Sequence, residues 1–284
     1  MTIDLKAAVQ FINENGNDFQ KSYLKTLFGI GSLEQTLKYM SAYQNVDGGW
    51  TGIDADYVGE CSSMVCTIIA LWKFECLDVN TGEMFDATIS YLKKEQKPSG
   101  GWGEPLGILD AHPPPWYYPK ILINVIWITN ALLRYLLSRK PEEVEMISKA
   151  KAFVRKFWEG DCFPGGYKIN NWMGIVSFHD ADNAEDKDIY HGCMKNLRSE
   201  IKELDMGDIC WVLNSFMYLG TSQEDSIIQE GLRQIEDKQA SDGGFPTIYG
   251  DHQRVDTAIN ALESLAHYNQ AVRQQLLTLI KEVK

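Results

Sequence analysis

The sequence predicts an all-α chain built as an (α/α) toroid, a double ring of about five to six helical hairpins spanning residues 1–284 as a single domain. Three observations predict it. A short signature recurs at hairpin spacing. A second, apolar helix follows the signature in a constant register. The helices before the signatures are amphipathic, so outer and inner helices alternate.

The first signature closes a helical stretch at Gln44 and continues through Gly48 and Gly49 to Trp50. The second runs from Gln96 through Gly100 and Gly101 to Trp102, and the third from Gln239 through Gly243 and Gly244 to Phe245. All three read Gln-x-x-x-Gly-x-aromatic. A degenerate copy follows Phe157 and Trp158 with Gly165, Gly166 and Tyr167, and lacks the glutamine. Glutamine can close a helix and bond the free carbonyls or amides of neighbouring helix ends. The glycines permit positive φ in the turn, and the aromatic packs back beneath it. These are structural devices.

The inner helices align at residues 65–71, 126–132, 210–216 and 256–262, all apolar nearly all round. Residues 142–158 and 223–239 show the charged, amphipathic pattern of outer helices.

Composition narrows the function. The net charge of -12 argues against a general nucleic-acid partner, because phosphate binding needs basic patches. The apolar stretch 121–137 is interrupted by Asn124, Asn130 and Arg134, so no transmembrane segment is expected. Met1, Thr2, Ile3 and Asp4 lack the pattern of a signal peptide, which places the chain in the cytoplasm. Cys61, Cys66, Cys76, Cys162, Cys193 and Cys210 are then expected to be reduced. No CxxC pair, nucleophile elbow or glycine-rich phosphate loop occurs.

Segments 39–50, 91–102 and 234–245 resemble the repeats of squalene–hopene cyclases, oxidosqualene cyclases and the β subunits of protein prenyltransferases. The resemblance covers residues 32–265. It implies a toroid with a central apolar cavity for an isoprenoid small molecule; with no transmembrane segment expected, peripheral membrane contact stays open. Trp127 and Trp211 occupy equivalent inner-helix positions and either line such a cavity or fill the space between the rings. Trp116 and Tyr117 lie in the proline-rich stretch 112–119, expected to be stiff and extended. That stretch is either a lid or a cap on the toroid edge.

The same resemblance raises two chemistries. Class II cyclases carry a protonated aspartic acid within D-x-D-D-T-A. Here Arg254, Val255, Asp256, Thr257 and Ala258 stand at that place, with Val255 where the donor would be. Asp256 is therefore either an acid or a helix N-terminal residue. Asp54 and Asp56, after the first signature, are further acid candidates, since a carboxyl in an apolar site is held neutral. They, or the run Asp180, Asp182, Asp186 and Asp188, would hold Mg2+ if the substrate were a diphosphate; otherwise both are solvated acidic loops.

Prenyltransferase β subunits bind Zn2+ through an aspartate and cysteine in D-x-C and a histidine on the next inner helix. Asp208 and Cys210 match the first part, Asp256 fills the histidine position, and His252 lies one turn away. The plainer reading is a first-turn aspartate beside a buried cysteine. The diphosphate site of those enzymes is half lost, with Lys202 and Asp205 at its two basic positions, and His191 with Gly192 falls at the wrong distance. Three functions follow: a terpene cyclase-like enzyme acting on a polyprenyl substrate, a zinc prenyltransferase β-subunit-like protein, and a non-catalytic toroid that binds an apolar ligand or a protein.

Overall fold

Side-chain caps set many of the helix starts. Asp4 accepts from the amide of Ala7, Ser32 from that of Gln35, Ser63 from that of Cys66, Asp205 from that of Gly207 and Asp225 from that of Ile227. Asn17 and Gln20 form a reciprocal capping box. The computed structural model describes residues 3–164 and 168–282. Its α-helices in chain order are α1 (Leu5–Asn15), α2 (Asp18–Leu27), α3 (Leu33–Met40), α4 (Met64–Cys76), α5 (Glu83–Glu95), α6 (Leu122–Arg139) and α7 (Val144–Arg155). There follow α8 (Lys168–Ser177), α9 (Ala184–Glu200), α10 (Met206–Tyr218), α11 (Ser226–Lys238), α12 (Arg254–Tyr268) and α13 (Gln270–Glu282). Among the described residues the only β pairing is two isolated bridges, Gln44 with Trp50 and Trp50 with Ser63.

The chain divides into two compact units, residues 43–199 and residues 1–42 with 200–284. In the first, α6 packs against α4, α7 and α8. In the second, α12 packs against α1, α2, α10 and α13. Helices α4, α6, α10 and α12 bury residues on every face, as their all-round apolar sequences require. Helices α5, α7 and α11 bury one stripe. Helix α8, after the degenerate signature, has no counterpart among the four aligned segments read from the sequence. Gly165, Gly166 and Tyr167 of that signature lie outside the described residues.

The complete signatures share one geometry. The Nε2 of Gln44 donates to the carbonyls of Gly48 (3.1 Å) and Met84 (2.8 Å). That of Gln96 donates to Gly100 and Met146, both at 2.9 Å, and that of Gln239 to Gly243 (3.1 Å) and Asp4 (2.9 Å). Each glutamine thus closes its own turn and adds a second donor to a carbonyl at the start of another outer helix, as at Asp4, which also accepts from the Ala8 amide at 3.1 Å. The aromatics Trp50, Trp102 and Phe245 are fully buried beneath their turns. Their burial contributes about 25 cal/mol per Å² of apolar surface removed from water.

The first glycine of each signature is where the neighbouring helix touches. Gly100 has φ +96°, and a Cβ there would sit 2.2 Å from the Lys149 carbonyl oxygen on α7. Gly100→Ala is expected to destabilise the protein by about 2–4 kcal/mol, combining backbone strain and overlap. Gly82 has φ +109° with nothing within 4 Å. Gly82→Ala, carrying strain alone, is expected to cost about 1 kcal/mol. Equal costs in chemical denaturation would show that the helix contact contributes nothing.

Candidate active site

The acid pair after the first signature folds against the proline-rich stretch. Asp54 is 8% exposed. Its Oδ2 accepts a 2.7 Å hydrogen bond from the hydroxyl of Tyr117, and its Oδ1 accepts from the amide of Asp56 at 3.1 Å. The Asp56 Oδ2 accepts from the indole N–H of Trp116 at 2.9 Å. The Tyr57 ring stacks on Tyr117 with centroids 5.7 Å apart, and Tyr57 is pinned through its hydroxyl to the Cys61 carbonyl at 2.9 Å. Four residues singled out separately in the sequence, Asp54, Asp56, Trp116 and Tyr117, therefore form one cluster.

The proline-rich stretch corrects the sequence expectation. It is not extended throughout: a 3-10 turn at Leu106–Ala111 precedes it, and a second at Pro115–Tyr117 breaks it after the extended Pro114. The second turn aims Tyr117 inward, and Asn124 clamps it by donating to the carbonyls of Pro115 (2.9 Å) and Tyr118 (3.1 Å).

A second buried carboxyl adjoins the cluster, one the sequence reading missed. Glu104 accepts from the Ser63 hydroxyl (2.7 Å) and the amides of Met64 and Val65, both at 2.8 Å, at the start of α4. Burial pushes its carboxyl up to about 7, aided by the charge of Asp54 and opposed by those three hydrogen bonds. The position has a repeat logic. Glu104 stands two residues after Trp102 and bonds the N-cap of α4. Thr247 stands two residues after Phe245 and donates to Asp205, the N-cap of α10, at 2.6 Å. The polar residue two places beyond Trp102 and Phe245 is the one sequence signal that points to Glu104, and the first signature lacks it, with Gly52 at that place.

The folded-state pKa of Glu104 lies above its unfolded value near 4.5. The folded state therefore holds the proton more tightly, and stability falls as pH rises from about 4.5 through about 7. The loss attributable to this group is on the order of 3 kcal/mol. Glu104→Gln, measured by denaturation at pH 4.5, 6 and 7.5, is expected to flatten this slope. An unchanged slope would show that Glu104 does not titrate in this range.

In the unit of residues 1–42 and 200–284, Tyr249 donates from its hydroxyl to Asp208 Oδ1 at 2.8 Å, and its ring lies 5.6 Å from that of Trp211. Cys210 is fully buried with Sγ 3.7 Å from the Thr257 carbonyl, and burial pushes its thiol up. His252 is exposed in the turn Asp251–Gln253. Among the described residues no three His, Cys, Asp or Glu side chains form a group that could hold a metal ion. Asp208, Cys210 and His252 are not brought together as a Zn2+ ligand set, because the Cys210 thiol is directed at the Thr257 carbonyl while His252 stands exposed in its own turn. Asp54 and Asp56 each accept one hydrogen bond from an aromatic donor, and no third acidic, histidine or cysteine side chain joins them in a metal-holding group among the described residues. Of the second acidic run, Asp186 takes both Arg155 donors at 2.5 and 2.7 Å, and Asp188 accepts from Trp158 at 2.8 Å. Asp256 lies in the first turn of α12, and its Oδ2 accepts from Gln20 on α2 at 2.7 Å. Trp127 is buried on α6. No described helix is long and apolar enough to cross a membrane.

No family model matches the chain, and no curated protein matches it in sequence. Solved structures do match. The ligand-free type II terpene cyclase MstE from Scytonema aligns with a TM-score of 0.59 at 14% identity, covering 92% of this chain and 96% of that one. A variant of MstE in complex with its substrate, geranylgeranyl dihydroxybenzoate, aligns with a TM-score of 0.60 at 12% identity, covering 93% and 96%. Another, with the product merosterolic acid A, gives 0.59 at 13% identity over 93% and 95%. The fold class is therefore the one expected from the repeats, all-α and of the α/α toroid kind found in terpene cyclases.

Proposed function

We propose that this chain is an isoprenoid-handling enzyme of the terpene cyclase kind, and that Asp54 is the acid that starts its reaction. The observation that carries the reading is the buried Asp54 carboxyl meeting the Tyr117 hydroxyl across 63 residues of sequence. In this scheme the Asp54 O–H bond breaks as its proton adds to a carbon of a substrate alkene. The residual carboxylate is stabilised by the donors already aimed at it, the Tyr117 hydroxyl and the Asp56 amide. The cation on the substrate is attacked by a further alkene of the same chain, and loss of a proton to a base ends the sequence. Aromatic faces such as Tyr57 and Tyr117 stabilise positive charge passing near them.

The likeness to a cyclase solved with a geranylgeranyl-bearing substrate supports a polyprenyl substrate. Protonation leaves the acid unmodified and needs no metal ligand set. A magnesium requirement would instead signal ionisation of a diphosphate. The test is incubation of the protein with farnesyl diphosphate, geranylgeranyl diphosphate and squalene, with and without magnesium, followed by product analysis. A cyclised product that keeps the diphosphate, or forms from squalene, is expected. Failure to bind or convert any of the three would leave a non-catalytic toroid.

A further inference from the structure

Helices α6 and α8 carry buried polar side chains that find no hydrogen-bond partner among the described residues. Asn130 on α6 is fully buried, and neither its Oδ1 nor its Nδ2 has a hydrogen-bond partner. The indole N–H of Trp127, three residues earlier and so on the same helix face, is also buried without an acceptor. Asn170 on α8, which packs against α6, is 1% exposed, and neither amide atom has a partner among the described residues. Native interiors leave few such groups, because a buried donor or acceptor that gives up water without replacement is expensive.

The repeat supplies an internal control. Asn214 occupies on α10 the register that Asn130 occupies on α6. There the amide is satisfied, donating to Glu263 at 3.3 Å and accepting from the Ser264 hydroxyl at 2.8 Å. On α6 the same residue keeps its polarity with neither partner. The neighbouring charge offers none to spare, since Arg134, one turn further along the Asn130 face, is ion-paired with Glu75.

We propose that Trp127 and Asn130 form a binding site for the neutral, hydroxyl-bearing end of an isoprenoid. The inference rests on the isoprenoid reading above and names the head group of the ligand. An amide offers one acceptor and two donors without charge, which matches a hydroxyl that both donates and accepts. The indole N–H supplies a further donor to the hydroxyl oxygen. A diphosphate would need unpaired cations, and none of these groups carries charge. Asn170 extends the same uncharged polar character onto α8.

The test compares three fifteen-carbon probes that differ at one end: farnesene, a hydrocarbon; farnesol, a neutral alcohol; and farnesyl diphosphate. Binding to the wild-type protein, Asn130→Leu and Trp127→Phe is measured by tryptophan quenching or calorimetry, alongside thermal unfolding. Farnesol is expected to bind wild-type protein about tenfold tighter than farnesene. That preference is expected to vanish in Asn130→Leu and to shrink in Trp127→Phe, with farnesene binding unchanged. Asn130→Leu, close in size and free of unmet polar atoms, is also expected to melt higher than wild type, so loss of fold does not obscure the result. An unchanged alcohol preference in Asn130→Leu means that the amide holds only solvent and overturns the site. A preference for the diphosphate over farnesol overturns it too, while leaving the isoprenoid reading intact. If wild-type protein binds none of the three, the isoprenoid reading fails and the site falls with it.

Discussion

Asp54→Asn is expected to lower turnover of a convertible isoprenoid by about 10²–10⁴-fold while leaving its binding within a few-fold of wild type. Asparagine keeps the size of the side chain and one acceptor oxygen for Tyr117, giving up only the 3.1 Å bond from the Asp56 amide, so the fold is preserved. What it lacks is a transferable acidic proton. Tyr117→Phe removes one of the two donors that stabilise the carboxylate left behind. It is expected to cost about tenfold, the value of a single hydrogen bond to a charged group. Asp256→Asn provides the contrast. Asp256 accepts from Gln20 at the start of α12, where an amide keeps the carbonyl acceptor. Turnover is expected to stay within a few-fold of wild type. The reverse pattern, with Asp256→Asn inactive and Asp54→Asn active, would remove Asp54 from the mechanism.

Arg134→Met is expected to destabilise the protein by about 3 kcal/mol. Arg134 and Glu75 are each 2% exposed and form an ion pair between α6 and α4. Glu75 is further held by the Ser138 hydroxyl at 3.0 Å and Arg139 Nε at 3.3 Å. Those partners soften the loss of Arg134 but do not replace it, because Arg139 is a quarter exposed and more distant. The double variant Arg134→Met with Glu75→Leu is expected to recover most of the stability. Two apolar side chains of similar volume then replace a pair whose desolvation nearly cancels its attraction. A double variant worse than the single one would show that the pair is a net source of stability.

The fold was legible because its repeat is written in residues with distinct backbone roles. Gln44, Gln96 and Gln239 do what their chemistry suggested, and the aromatics are buried as expected. Helix α8 was less legible because its signature has lost the glutamine and lengthened the turn. The Asp54 cluster was legible in its parts. Asp54 and Asp56 stood out as an acid pair, and Trp116 and Tyr117 as aromatics in a stiff stretch. Their meeting was not legible, since it depends on a 3-10 turn at Pro115–Tyr117 that proline runs do not specify. The Asp208 and Cys210 pair shows the opposite. Its register is that of a metal site, but packing decides where a thiol points, and Cys210 faces the Thr257 carbonyl. Glu104 was illegible because one carboxylate after a Gly-Gly-Trp turn looks like any solvated acid.

The link between Gln239 and Asp4 joins residues 235 positions apart, so it sets an order of events during synthesis. At roughly 5–20 residues per second, the ribosome delivers Gln239 some tens of seconds after Asp4. Residues 43–199 have by then been made in full and can settle on contacts of their own. Helices α1 and α2 wait for α12 and α13 before their apolar stripes are covered. The nascent chain therefore holds α1 and α2 uncovered until α12 and α13 arrive, the interval in which a chaperone would find them.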